Sequence, residues 1–302
     1  MQDLYLGLAV MAVLSACAFA LGHSLAGGHK WVGNGLAIAT VLLTLLYIRF
    51  VWNDIRVARL LPFSNLVVVG NWLPLASTFL AGVVWRRIRH WRRAVGVGAL
   101  WIAGGYAAAS PLLATMFEIH RVFPFVPFVI RARLPVCEDN WTPRREACLQ
   151  TTPATCTPAC AATLLSLHGI QVTEGEMARL CLTTRRGTNW TGLFRGLKLK
   201  THGTRYDVRV LSGSARHLLA TLRSPAILSV GLPMDISPSS YYRTKWVWNP
   251  GEEHSVILLG FNKQGLLQII DPDDRIVFEN WHPKDLEVLW RGQGMTLVER
   301  PR

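Results

Sequence analysis

The chain has 302 residues, half of them hydrophobic and only 17% charged, with a mean hydropathy of +0.25 and a formal net charge of +13. Soluble domains carry about 25% charged residues, so the deficit must be concentrated in one region, and disorder, collagen-like and coiled-coil compositions are excluded. Six cysteines are too few for a disulfide scaffold but enough for one or two bridges or a reactive thiol.

Four apolar stretches occupy the first 117 residues: Leu4–Leu21, Val32–Ile48 running on to Trp52, Leu66–Trp85 and Ala94–Phe117. A bilayer-spanning helix needs about 20 apolar residues, so residues 1–117 read as a membrane domain with four transmembrane helices, at about 4–26, 32–52, 66–85 and 94–117. Arg49 can snorkel from its helix end, and Pro74 and Pro111 are tolerated in lipid. A signal peptide would need a basic start, whereas Met1–Tyr5 carries only Asp3, so the first helix is read as retained. The loop Arg86-Arg87-Ile88-Arg89-His90-Trp91-Arg92-Arg93 holds five arginines and no acid. It should be cytoplasmic, which places everything after about His120 outside the cytoplasm. Arg56 and Arg59 in the second loop run mildly against this orientation. The same basic run is better explained by membrane topology than by nucleic-acid binding, and no nucleic-acid partner is expected. Residues 118–134, with the proline-broken Val122–Arg133, read as an interfacial linker.

From about Leu134 the composition turns globular, and residues 135–302 read as an extracytoplasmic domain. After turn-rich Pro135–Thr155, the spacing predicts a helix from Cys156 to Gly169, a suitable C′ residue, with Pro158 in its first turn. Cys156 at a helix N-terminus is placed to ionise, because the macrodipole favours thiolate there. Thr173-Glu174-Gly175-Glu176 resembles a capping box, and Gly187–Lys200 predicts a further helix with Trp190, Leu193 and Leu197 on one face. Tyr241–Gly251 is an aromatic, basic loop that fits a substrate groove or a bilayer surface equally well.

His254–Phe261 reads as a buried strand, Asn262-Lys263-Gln264-Gly265 as a turn, and Leu266–Ile270 as a second strand ending at Asp271-Pro272. A four-residue loop sets Phe261 against Leu266 and Val256 against Asp271, so His254 and Asp271 share a face as diagonal neighbours. A three- or five-residue loop would reverse that parity. A histidine oriented by a carboxylate can act as base toward a thiol.

These landmarks, namely Gln150 six residues before Cys156, the helix ending in His168-Gly169-Ile170, Thr184-Arg185-Arg186-Gly187-Thr188, and the His254 strand with Asp271-Pro272, resemble the bacteriocin-processing, double-glycine-leader family of papain-like cysteine peptidases. The resemblance covers about Leu149 to Leu289. It implies an α+β papain-like fold, with Cys156 as nucleophile, His254 as general base and acid, Asp271 as orienter and Gln150 as side-chain oxyanion donor beside the Cys156 N–H. Thr157 stands where the family usually has Gly. The chain carries no nucleotide-binding loop, so no nucleotide partner, and no cofactor or metal, is expected.

The expected fold class is thus a four-helix transmembrane all-α region plus an α+β papain-like cysteine-peptidase domain. The expected partners are the lipid bilayer and a peptide or protein substrate. Two rivals stand beside a thiol peptidase: an inactive domain that binds peptides at the membrane surface, and an accessory domain of a membrane transport or signalling protein. Outside the cytoplasm thiols tend to pair. Cys137–Cys148 is the first expected bridge, Cys160 and Cys181 could meet, and Cys160 could instead trap the nucleophile.

Overall fold

The computed structural model describes residues 2–28, 30–52, 54–87, 91–114, 131–133, 146–223, 225–237, 240–245 and 248–301. The chain divides into two compact units, Met1–Met116 and Phe117–Arg302.

In the first unit, uncharged apolar runs form helices α1 (Gln2–Leu25) and α2 (Lys30–Phe50). The third apolar stretch is two helices, α3 (Leu66–Val69) and α4 (Leu73–Arg87). They break at Gly70-Asn71-Trp72, where the Asn71 amide donates to Ala107 O at 2.9 Å. Pro74 therefore falls in a first turn, where its missing N–H interrupts nothing. α5 runs Trp91–Ala114. Among the described residues three helical stretches are long and apolar enough to cross a bilayer: Gln2–Leu25, Trp31–Phe50 and Leu66–Arg87. The fourth expected span is not among them, because the apolar run of α5 in the described residues covers only Val95–Ala107.

Small residues let α1 and α4 approach closely. A Cβ on Gly22 would collide with the Phe79 carbonyl oxygen, and one on Gly82 with the Phe19 carbonyl oxygen. Reciprocal contacts of this kind are how apolar helices pack where lipid leaves no hydrophobic force to draw them together. At the same end of the unit the Arg87 guanidinium caps the Ala26 carbonyl at 3.0 Å.

In the second unit, β1 (Arg131–Arg133) pairs antiparallel with β2 (Glu146–Cys148). Most of the expected linker 118–134, and Cys137, lie outside the described residues. Three helices follow: α6 (Cys156–Leu167), α7 (Glu174–Leu180) and α8 (Trp190–Thr201). α6 is apolar all round and buried from Cys156 to Leu165, as a central core helix must be. Gly169 ends it at φ +78, and the Thr173 hydroxyl caps α7 by accepting from Glu176 N. Trp190, Leu193 and Leu197 are buried on α8 as the spacing predicts.

The rest is a six-stranded antiparallel sheet crossed by short helices. Its elements are β3 (Tyr206–Ser212), α9 (Ala215–Thr221), β4 (Ala226–Gly231), α10 (Tyr241–Lys245), β5 (Glu253–Phe261), β6 (Leu267–Ile270), β7 (Phe278–Trp281), α11 (Pro283–Leu289) and β8 (Trp290–Glu299). The strand order is β3-β8-β4-β5-β6-β7. β4, buried at every residue, lies between β8 and β5. α6 packs on β4 and β5, which sets the N-terminus of a helix against the start of a central strand.

Candidate active site

Cys156 is the first residue of α6 and is buried. The loop before it is held by its own hydroxyls: Thr155 Oγ1 donates to Thr152 O at 2.9 Å, and Glu174 Oε1 accepts from Thr151 N at 2.8 Å. The entry to the helix is therefore fixed independently of any substrate.

The β5–β6 hairpin delivers the other two groups. Its loop is five residues long, with Phe261 opposite Leu267, not Leu266. Alone this would reverse the expected parity. A bulge between Leu258 and Gly260, with Gly260 at φ +149, reverses it again, so that Ile257 pairs with Ile270. His254 and Asp271 consequently share a face, with His254 Nε2 2.9 Å from Asp271 Oδ1. Asp271 is 1% exposed, and its Oδ1 also accepts from Asp273 N at 2.8 Å. Its own N–H donates to the Val277 carbonyl at 3.1 Å. Val277 stands at φ +60, an outlier for a β-branched residue.

The Cys156 thiol and the His254 imidazole are close enough to shift each other's ionisation. Burial pushes that thiol up. The hydrogen bond and charge of His254, a backbone hydrogen bond from Ser255 and the Thr157 hydroxyl outweigh burial and hold the thiol below its ordinary value. Burial works to lower His254, but Asp271 and Cys156 overcome it and raise the imidazole well above its ordinary range. The two shifts point the same way, toward a thiolate–imidazolium pair.

Gln150 is tied to this group through its backbone, whose N–H donates to the Pro272 carbonyl at 2.8 Å. Its side-chain oxygen is buried without a hydrogen-bond partner. Trp248, from the aromatic loop, sets its ring edge-on to His254 with centroids 5.9 Å apart and also meets Trp281 at 6.1 Å. Part of that loop thus belongs to the site. Tyr241 is exposed, and Trp246 and Val247 lie outside the described residues.

Cys160 and Cys181 do not meet. Both are free thiols, directed to different neighbours. Cys160 Sγ donates to Ser255 O at 3.2 Å, while Cys181 packs where α8 leaves only glycine, at Gly192 and Gly196. Burial pushes Cys160 up, helped by the nearby Cys156, Asp271 and Cys148, and takes Cys181 to about 12. Neither is prone to oxidation. The expected Cys137–Cys148 pairing falls on a residue outside those described.

One pair was not legible in the sequence. Thr157 Oγ1 and Ser255 Oγ are 2.8 Å apart, joining the residue after Cys156 to the residue after His254. Only the neighbour relation of each to a candidate residue marked them.

A thiol at a helix N-terminus, an imidazole from a sheet strand and a carboxylate behind it are the groups of a cysteine-peptidase site. The model of the Peptidase_C39 like family matches residues 142–293, half of the chain, and the chain belongs to that family. The peptidase domain of Streptococcus ComA, a bi-functional ABC transporter, is 19% identical, with a TM-score of 0.38 over 50% of this chain and 96% of that one. A double glycine motif protease from an AMS/PCAT transporter, solved with its leader peptide, is 15% identical, with a TM-score of 0.39 over 56% and 94%. The Streptococcus mutans ComA peptidase domain is 20% identical, with a TM-score of 0.33 over 50% and 98%. No curated protein matches the chain.

Proposed function

We propose that this protein is a membrane-anchored cysteine peptidase that hydrolyses a peptide or amide bond through an acyl-enzyme on Cys156. His254 takes the thiol proton, holds it as imidazolium while sulfur attacks the carbonyl carbon, and returns it to the leaving amine. It then removes a proton from the water that releases the acyl group. Asp271 fixes the imidazole with Nε2 toward the carboxylate and the other nitrogen toward sulfur. Gln150 and the Cys156 N–H stabilise the oxyanion, a contribution worth about 10²–10³ in rate per donor. The apolar helices anchor the domain, with four spans and the peptidase domain outside the cytoplasm. The hydrogen bond from Arg87, at the start of the arginine-rich loop, to the carbonyl of Ala26, just after α1, supports placing the end of α1 and that loop on one side.

The observation that carries the reading is the buried Asp271 hydrogen-bonded to His254 at 2.9 Å, with Cys156 at the start of α6 close enough for its thiol and the His254 imidazole to shift each other. A thiol-reactive peptide probe should label Cys156 in the full chain near neutral pH, and His254→Ala should lose that labelling. Wild-type labelling no faster than that of a free thiol would overturn it. A fusion reporter after Phe117 should report an extracytoplasmic position; a cytoplasmic signal overturns the orientation. A second reading, peptide capture without cleavage, draws on Thr157 in place of the family's usual Gly. Its mark is labelling without turnover of any peptide.

A further inference from the structure

Thr157 is 6% exposed and Ser255 3% exposed, and their hydroxyls share one hydrogen bond of 2.8 Å across the junction of α6 and β5. Only one proton can occupy that bond. If Ser255 donates into it, the Thr157 hydroxyl proton is left for Cys156 Sγ, 3.9 Å from Thr157 Oγ1. The same Ser255 accepts from Cys160 Sγ through its carbonyl at 3.2 Å. One residue of β5 thus holds two contacts to the first turns of the nucleophile helix.

Resting on the peptidase reading, we propose that the Ser255–Thr157 hydroxyl pair is a positioning device that directs a hydroxyl dipole at the Cys156 sulfur and stabilises its anion. Thr157 thereby replaces what a bare backbone position would leave to the helix terminus and His254 alone. The ionisable groups nearest this region are His254 on β5, Asp271 after β6, Cys160 one turn along α6 and Cys148 on β2; the buried charges on the helices packed against α6 are Glu174 on α7 and Arg195 on α8. Glu174 is engaged by Thr151 and Arg195 by the Leu180 carbonyl.

The test is the pH dependence of iodoacetamide alkylation of Cys156 in the detergent-solubilised full chain, read by mass spectrometry of the Cys156 peptide. Thr157→Val keeps the shape and removes the hydroxyl. It should move the inflection up by about 0.5–1 pH unit, a 3–10-fold slower reaction on the acid limb. Thr157→Ser should keep the wild-type inflection. Thr157→Val leaves the Ser255 hydroxyl buried and unpaired, a folding cost that the double variant Thr157→Val with Ser255→Ala removes. The double variant should keep the raised inflection. A purely structural pair predicts instead that the double variant regains the wild-type profile, and that result overturns the inference. His254→Ala separates the two levels. If it leaves the inflection where it was, the peptidase reading itself fails. If it raises the inflection while Thr157→Val does not, only the hydroxyl device fails.

Discussion

On α2, Ile38, Leu43 and Phe50 are about three-fifths exposed, whereas β4 in the second unit buries all six of its residues. Both segments are apolar, and their periodicity does not separate them. Their neighbours do. α2 has lipid-length hydrophobicity with little to pack against inside its unit, and its hydroxyls at Thr40 and Thr44 bond back to carbonyls four residues earlier. The second unit joins several buried polar groups across its interior: Thr157 with Ser255, Asp271 with His254, and Thr163 with the Cys148 N–H at 2.8 Å. In the first unit two helices meet through close backbone approach, while in the second directed hydrogen bonds are set into an apolar interior, where such bonds are strong and an orphan is costly. Chemistry that needs oriented groups belongs in the second.

The sharpest test of that contrast is to remove orientation while keeping the atoms. Cys156→Ala should abolish hydrolysis. Asp271→Asn keeps the volume but presents the wrong partner to His254 Nε2, and should lower the hydrolytic rate by about 10²–10⁴. If Asp271→Asn hydrolyses at the wild-type rate, the carboxylate is not the orienter. The pH profile comes next. Cys156 lies below its ordinary value of 9.0 and His254 above its ordinary 6.5. The thiolate forms as pH rises through the lowered thiol pKa, and the imidazolium is lost only as pH rises through the raised imidazole pKa. Hydrolysis should therefore be bell-shaped, with its acid limb below the ordinary thiol range. Alkylation should rise on the acid side and not fall on the alkaline side. Parallel loss of both at high pH would show unfolding, not titration of His254.

In the membrane-type unit the equivalent break is steric. Gly82→Val places a side chain against the Phe19 carbonyl and should destabilise the helical unit by about 1–3 kcal/mol. Thermal unfolding of the full chain in detergent measures it. Gly98, with open space around it, is the control, since Gly98→Val should leave that transition nearly unchanged. Equal effects at both positions would mean that close approach of α1 and α4 does not hold the unit.

What the sequence made legible follows the range of the interactions. Helix starts and stops are local, so Cys156, Gly169 and the Thr173 cap could be read from the chain. The hairpin was legible in its outcome and not in its route. The turn at Asn262–Gly265 uses Asn262 Oδ1 to accept from both Gln264 N and Leu266 N, which lengthens the loop by one residue, and Leu259 bulges out to compensate. Turn chemistry of that kind and a remote bulge leave no mark in hydrophobic alternation. The cysteine pairing expected from compartment alone failed at Cys160 and Cys181, because burial and separate neighbours decided it. The Thr157–Ser255 pair spans 98 residues, beyond any local pattern.

The smallest expected effect concerns the loop that carries Asp271. Val277 at φ +60 costs about 1–3 kcal/mol as a strained backbone, and it is held there by Asp271 N–H on its carbonyl and by its own N–H on Asp273 O at 3.0 Å. Glycine adopts this conformation freely but loses about 0.5–1 kcal/mol more entropy on folding. Val277→Gly should therefore be neutral to stabilising, by up to about 1 kcal/mol, or about 2–4 °C in the unfolding midpoint. Elsewhere in a strand-flanking loop the same change would destabilise. A drop of several degrees would mean that the Val277 side chain contributes packing that outweighs its strain. The sign of the shift thus decides whether the backbone around Asp271 is held against its preference, as oriented chemistry requires, or is at rest.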